Sequence, residues 1–459
     1  VGMQPWGTIT SIQPSFFDAG TAYISVDYHL MDNREPFLYK TTDFGVSWTK
    51  ITGSLPTHQL SYIRVVAEDP NCKGLLFAGT GNSLFYSLDD GGHWTNLKNG
   101  LPPAPVSWAV VQKQMHDLVV STYGRGIYIL DDITALEQMA KGVGSDTSVS
   151  LFKPRETIRI LGGGRAYLNY QLKNQPKGPV QAAILDQDGK VVRQLRAAPA
   201  HTGLNRAAWD LHVDPPRLIA LRTAPPENPH IFEEPRFRGQ DSRAITHWGA
   251  AQAEVGPVVA PGKYTMRITV DGESYTQPLE IVRDPGSTGN DADLMSQMKL
   301  QLRIRDDINT TSDMVNQLEW MRKQLDDVQK MLKPDKSKAA LLKSVQDMDQ
   351  KMQDVEYKLV SRALTTSDDK YFIAAYKIYF NLIWLNGEVG TGAGDVAGGA
   401  DYKPTDTAYS LTDMIEKDLA AATAEYRTLM DKEIPPFNRS LAASGITPLA
   451  AGSPGGNRE

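Results

Sequence analysis

Arg34, Arg64 and Arg125 are the residues of the N-terminal third whose chemistry first suggests an activity, because guanidinium groups clamp the carboxylate of an acidic substrate. Hydrolysis of a glycosidic bond beside such a clamp needs a Tyr/Glu nucleophile pair, or two facing carboxylates at a fixed separation. Arg64 lies inside a strand-like run, and no pattern joins the three arginines to either pair. No catalytic residue is therefore assigned. His201, His212, His230 and His247 lack H-x-x-x-H or H-x-H spacing, and Cys72 is the sole cysteine, so no metal site and no disulfide framework are expected. The run Gly390-Thr391-Gly392-Ala393-Gly394 superficially suggests a dinucleotide loop, but it follows a helical stretch and opens no strand-helix unit; it reads as a connector, and no cofactor is implied.

These residues sit on a repeat. Thr41-Thr42-Asp43-Phe44-Gly45-Val46-Ser47-Trp48 (41-48) recurs as Ser87-Leu88-Asp89-Asp90-Gly91-Gly92-His93-Trp94 (87-94), and this spacing suits one four-stranded propeller blade. The form S/T-x-D-x-G-x-x-W is an Asp-box. Thr41, Asp43, Gly45 and Trp48, with Ser87, Asp89, Gly91 and Trp94, have structural roles: the Asp accepts turn N–H groups, the Gly takes a positive φ, and the Trp packs between sheets. A decayed third copy aligns Tyr128-Ile129-Leu130-Asp131-Asp132 with Tyr86-Ser87-Leu88-Asp89-Asp90, and no fourth strand is evident after it. Residues 1-135 thus read as three blades. Three blades do not close a ring, so further blades are expected on the same precursor or on a partner chain.

The segments PFLYKTTDFGVSW, LFYSLDDGGHW and STYGRGIYILDD resemble the terminal blades of bacterial sortilin-like, or BNR-repeat "glycosyl hydrolase", proteins. The resemblance covers about the first 135 residues well, and the remainder is similar to the C-terminal extension of that family. In the family the propeller comes first and is longer, so this sequence looks like a C-terminal portion. The resemblance implies a bacterial protein that is secreted, periplasmic or on the cell surface. Asp-boxes also occur in sialidases and xyloglucanases, which keeps glycoside hydrolysis, with a site completed by further blades, as the alternative activity. The opening residues lack the charged and apolar regions of a signal peptide, which leaves either a processed signal or a start within a longer chain.

Topology says where a ligand would sit. In an up-and-down blade the A–B and C–D turns share one rim, and the B–C loops share the other with the D–A connections. The Asp-boxes lie in C–D turns, which leaves the opposite rim for function. Its B–C loops carry Tyr28, His29, Asp32, Asn33 and Arg34 in the first blade, Thr80 and Asn82 in the second, and Tyr123 and Arg125 in the third. Aromatic, arginine and amide side chains together suit protein or glycan recognition, although loops are polar by default.

Residues 148-285 read as an immunoglobulin-like sandwich of about six antiparallel strands, and the Pro261-Gly262-Lys263-Tyr264 lead-in is similar to FlgD-like modules. The Pro-rich stretch 213-261 is irregular; a loop so long is either functional or laid across a neighbouring domain. Residues 290-435 carry helical apolar spacing: a hairpin broken at Pro334 forms a coiled-coil-like arm, Lys370–Leu385 is apolar on several faces, and Tyr409–Lys432 adds a fourth helix. Residues 436-459, rich in Ala, Gly, Ser and Pro, read as a flexible tail. The fold class is multidomain, mainly β and then α: a partial Asp-box β-propeller, an immunoglobulin-like β-sandwich and a helical bundle. With 41% hydrophobic and 22% charged residues and a net charge of -6, the chain offers no basic patch for nucleic acid and no membrane span. The expected function is binding or assembly through the propeller surface, within a larger chain or complex, and the helices offer a route to homo-oligomers.

Overall fold

The computed structural model describes residues 3–98, 100–226, 228–247, 255–365, 374–390 and 400–452. The chain divides into two compact units. The first comprises Val1–Thr157, Ala166–Trp209 and Lys263–Glu280; the second comprises Ile158–Arg165, Asp210–Gly262 and Ile281–Glu459.

The first unit opens with blade-like antiparallel sheets. Strands β1 (Thr8–Pro14), β2 (Ala22–Asp27), β3 (Leu38–Thr41) and β4 (Thr49–Lys50) form one, and β5 (Ile63–Glu68), β6 (Leu76–Thr80), β7 (Leu84–Ser87) and β8 (Thr95–Asn96) form the next. The third has β9 (Val106–Gln112), β10 (Asp117–Thr122) and β11 (Gly126–Leu130), with no fourth strand among the described residues. Apolar alternation makes both faces of the middle sheet buried. Tyr23 and Leu38 of the first blade meet Val66, Leu76, Ala78 and Phe85 of the second, whose other face (Val65, Phe77, Leu84) meets Val106, Ala109, Leu118 and Val120 of the third. The decayed motif copy is displaced by one residue: Leu130 pairs with Leu118 as Ser87 pairs with Leu76, so Leu130, not Ile129, occupies the place of Ser87.

The Asp-boxes are closed turns. Thr41 Oγ1 donates to Asp43 Oδ1 (2.8 Å) and accepts from Gly45 N (2.9 Å), while Asp43 accepts from Ser47 N (2.9 Å) and Ser47 Oγ (2.6 Å). Those bonds from Ser47, joined by Thr41, lower the Asp43 carboxyl to about 2. Ser87 and Asp89 repeat the pattern with Gly91 and His93. Gly91 has φ +92, and a Cβ there would sit 2.8 Å from Ile51 Cβ of the preceding blade. Gly91→Ala is therefore expected to cost about 1–3 kcal/mol through strain and overpacking, measured by chemical denaturation.

The sheet region continues into helix α1 (Thr134–Ala140), whose Leu136 packs beneath the third blade. His116 Nδ1 lies 2.6 Å from Glu137 Oε1 of this helix, and that bond raises the His116 pKa against the opposing effect of burial. Its stabilising contribution is fully present below the ordinary histidine value of about 6.5 and is lost as pH rises through the raised native value. Thermal melts across that window should lose stability as pH rises, and Glu137→Gln should flatten the dependence.

The middle segment forms two further sheets. One is β12 (Val149–Leu151), β14 (Ala166–Leu172) and β17 (Gly203–Trp209), in that order. The other runs in the order β13 (Thr157–Arg159), β19 (Glu273–Arg283), β18 (Gly262–Val270), β15 (Val180–Leu185) and β16 (Val191–Ala198). Trp209 of the first sheet is fully buried and meets Tyr264 of the second edge-on at 5.9 Å.

The second unit is built on α2 (Asp291–Leu332), α3 (Ala339–Leu359), α4 (Ile378–Gly390), α5 (Asp406–Thr428) and α6 (Ile434–Ala443). Asn290 and Asp293 form a reciprocal capping box at the start of α2. The irregular stretch 213-261 runs along this helix in part: Ile219 and Leu221 enter the helical core, Ala220 N donates to Asn316 Oδ1 (2.7 Å), and Thr223 Oγ1 donates to Glu319 (2.6 Å). Two expectations are corrected. The described part of 436-459 is no flexible tail, because α6 covers its start, Leu441, Ile446 and Leu449 are buried, and Ala450 exchanges two hydrogen bonds with Gln324 of α2. The third helix, expected from Lys370, starts at Ile378 within the described residues; 366–373, the Gly-rich run 391–399 and the last residues 453–459 lie outside them.

Candidate ligand-binding rim

Strand β2 ends at Asp27, and the loop beyond it is folded by its own side chains. Asp27 Oδ1 accepts from His29 N (2.8 Å) and Oδ2 lies 2.5 Å from His29 Nδ1, so the imidazole is fixed at the strand end. Its ring stacks on Tyr62 of the next blade, with centroids 4.6 Å apart. Asp32 takes the left-handed conformation (φ 56), and Asn33 Oδ1 accepts from Glu35 N (3.1 Å). Arg34 Nε is 3.9 Å from Asp32 Oδ1, too far for a strong hydrogen bond, and the guanidinium remains substantially exposed.

The connection into the second blade forms the facing wall. His58 Nδ1 accepts from Leu60 N (3.1 Å), which places the ring proton on Nε2, and Ser61 Oγ accepts from His58 N (3.0 Å). Between the walls lies an open hollow of about 520 Å3, lined by Asp32, Asn33, Arg34 and Glu35 on one side and Thr57, His58 and Gln59 on the other. It combines both charge signs with amide and hydroxyl groups, which suits a polar ligand lying across the surface rather than an apolar one buried in a cleft.

A second kind of tie acts within a blade. Gly81 N donates to Leu60 O (3.0 Å) and Tyr123 N donates to Pro105 O (2.8 Å), so the B–C loops of the second and third blades are tied to the incoming connections of their own blades. Of the residues expected on this rim, Asp32 and Arg34 line the hollow and His29 is held by Asp27 and Tyr62. Asn82, Tyr123 and Arg125 do not line it; Tyr123 and Arg125 are exposed in the β10–β11 turn, and Asn82 is half-buried in the β6–β7 turn. Tyr28 is corrected from ligand to core: it is buried, its hydroxyl donates to Gln4 O (2.7 Å), and its ring packs edge-on against Phe37. The sequence pattern does not single out Glu35, Thr57, His58, Gln59 and Tyr62. The polar run Thr57-His58-Gln59, followed by Tyr62 in a D–A connection, is the signal that points to most of them.

No family model matches the chain, and no curated protein matches it. Among solved structures it is similar to a GH74 enzyme of Niastella koreensis, at 16% identity and a TM-score of 0.23 over 40% of this chain and 30% of that one. An ancestral GH74 enzyme aligns at 10% identity and a TM-score of 0.22 over 62% of this chain and 32% of its own. The extracellular domain assigned to a hybrid two-component system of B. thetaiotaomicron aligns at 8% and a TM-score of 0.18, over 57% and 30%. The chain spans less than a third of the length of each.

Proposed function

We propose that the chain is a section of a β-propeller recognition protein acting outside the cytoplasm, whose rim binds a polar segment of a protein or glycan. The hollow between the Asp32–Glu35 and Thr57–Gln59 walls carries this reading, because local hydrogen bonds hold its backbone while Arg34 stays available to a ligand. Preorganised polar groups of this kind give specificity at low ordering cost.

The blade faces support the larger ring. On the third blade, cross-strand pairing aligns Val110, Val119 and Ile129 in one row and Trp108, Ser121 and Ile127 in the next, and Trp108, Val110, Ile127 and Ile129 are exposed. Such an apolar sheet face suits another blade, as the equivalent face of the second blade receives the third.

Peptide and glycan arrays probed with the full chain should yield a ligand, and Arg34→Ala should weaken its binding about ten-fold, as loss of a charge-assisted hydrogen bond does. Undiminished binding by Arg34→Ala and Asp32→Ala variants would place recognition elsewhere.

A further inference from the structure

A second, larger pocket lies within the first unit, away from the rim hollow's lining. It measures about 620 Å3, inside the range of about 300–1,000 Å3 usual for small-molecule sites, and its walls come from the second and third blades, α1, the paired strands β14 and β17, and the chain leading into β17. Its floor is built rigidly. Asn169 and Arg206 face each other in the β14–β17 register, and Arg206 Nε donates to Asn169 Oδ1 (2.7 Å). The remaining guanidinium bonds go to the carbonyls of Asp131 and Asp132 (both 2.6 Å), and the guanidinium covers the Tyr167 ring at 4.4 Å. With its Oδ1 committed to Arg206, the Asn169 amide is fixed in orientation, and its Nδ2 has no acceptor among the described residues although the residue is 98% buried.

The lining also holds an exposed lysine. Lys98 is exposed and makes no ion pair among the described residues. His201 also lines the pocket; its Nδ1 lies 3.0 Å from Thr202 O, and its loop is held by Asn205, whose Oδ1 accepts from His201 N (3.0 Å) and whose Nδ2 donates to His201 O (2.7 Å). The lining's one carboxylate, Asp132, is buried and accepts from Thr134 N and Oγ1. Tyr86 supplies an aromatic wall, and burial raises its phenol so that it stays a neutral donor.

We infer that this pocket binds a small hydroxylated carboxylate of the size of an acidic mono- or disaccharide. Its acid group meets Lys98, its hydroxyl oxygens accept from the Asn169 amide and the Tyr86 phenol, and its C–H face lies on the Tyr86 ring. A polyol with an anionic end is the chemistry that matches an unpaired buried amide donor, an exposed lysine and an aromatic wall in one cavity.

The test is titration calorimetry of the full chain with glucuronate and galacturonate, with glucose as the neutral counterpart. Expected is uronate binding at least about ten-fold tighter than glucose, weakened about five-fold or more by Lys98→Ala or by Tyr86→Phe, and unchanged by Arg34→Ala. Lys98 is exposed and Tyr86→Phe removes only a hydroxyl, so both variants should fold. No uronate binding, equal binding of glucose, or binding indifferent to both pocket variants overturns the inference. Loss on Arg34→Ala alone also overturns it and moves the ligand to the rim.

Discussion

Trp94→Ala destabilises the blade region by about 3–5 kcal/mol, whereas Trp48→Ala at the equivalent Asp-box position costs less than about half as much. Trp94 is 94% buried among Tyr23, Leu38, Val66 and Leu76, and its indole N–H donates to Ile51 O of the preceding blade at 2.9 Å. Removing it opens a cavity between two sheets and strands that carbonyl. Trp48 packs only partly, against the cluster of Ile24, Val26, Phe37 and Tyr39, and its indole has no acceptor among the described residues. Hydrogen exchange of the β5–β8 amides in the two variants measures the difference. Equal losses would mean that the boxes act as local turns alone and do not join blades.

The second large effect is in the helical unit. Arg322→Met costs about 3–5 kcal/mol at neutral pH, because it leaves buried carboxylates without their cation. Arg322 Nη1 donates to Glu319 (2.7 Å) and Glu356 (2.9 Å), and Nε to Asp349 (3.0 Å). Burial first, and then the neighbouring Glu319, push Glu356 above the ordinary carboxylate range, with Arg322 opposing them. The native state therefore holds this proton more tightly than the unfolded chain. The resulting stability is fully present below the ordinary glutamate value of about 4.5 and is lost as pH rises through the native value. Without Arg322 that value rises further, so the variant's deficit should shrink on acidification and should shrink again in the Arg322→Met/Glu356→Gln double variant. Urea denaturation followed by circular dichroism at several pH values measures both, and a deficit independent of pH would contradict the assignment.

The blades were legible because their signals are local. The Asp-box spacing, the alternation in β5–β7 and the turn residues each fix one short element, and the long strands sit where alternation places them. The fourth strands were less so: β4 and β8 are two residues each, too short for any periodicity to mark. The helical hairpin was legible from Val345, Met348, Met352, Val355 and Leu359, but Asn316, Glu319 and Arg322 were not, since polar residues on a helix read as a solvated face. Here they are buried because the 213-261 stretch brings its backbone to Asn316 and Glu319. The apparent tail failed for a related reason: its composition is that of a linker, yet three spaced apolar residues, Leu441, Ile446 and Leu449, suffice to anchor it. The rim was half legible. Loop topology named its side but not the facing connection, and the Asn169–Arg206 floor of the second pocket depends on a strand register that a sequence separation of 37 conceals.

The claim that these blades belong to a larger ring is tested most directly by the mass of the native protein, measured intact under denaturing and native conditions. A longer polypeptide, or a tightly held second chain, that supplies further Asp-box blades and shields Trp108 and Trp48 from solvent is the expected result. A stable lone species of 50.6 kDa with Trp108 freely accessible would contradict it.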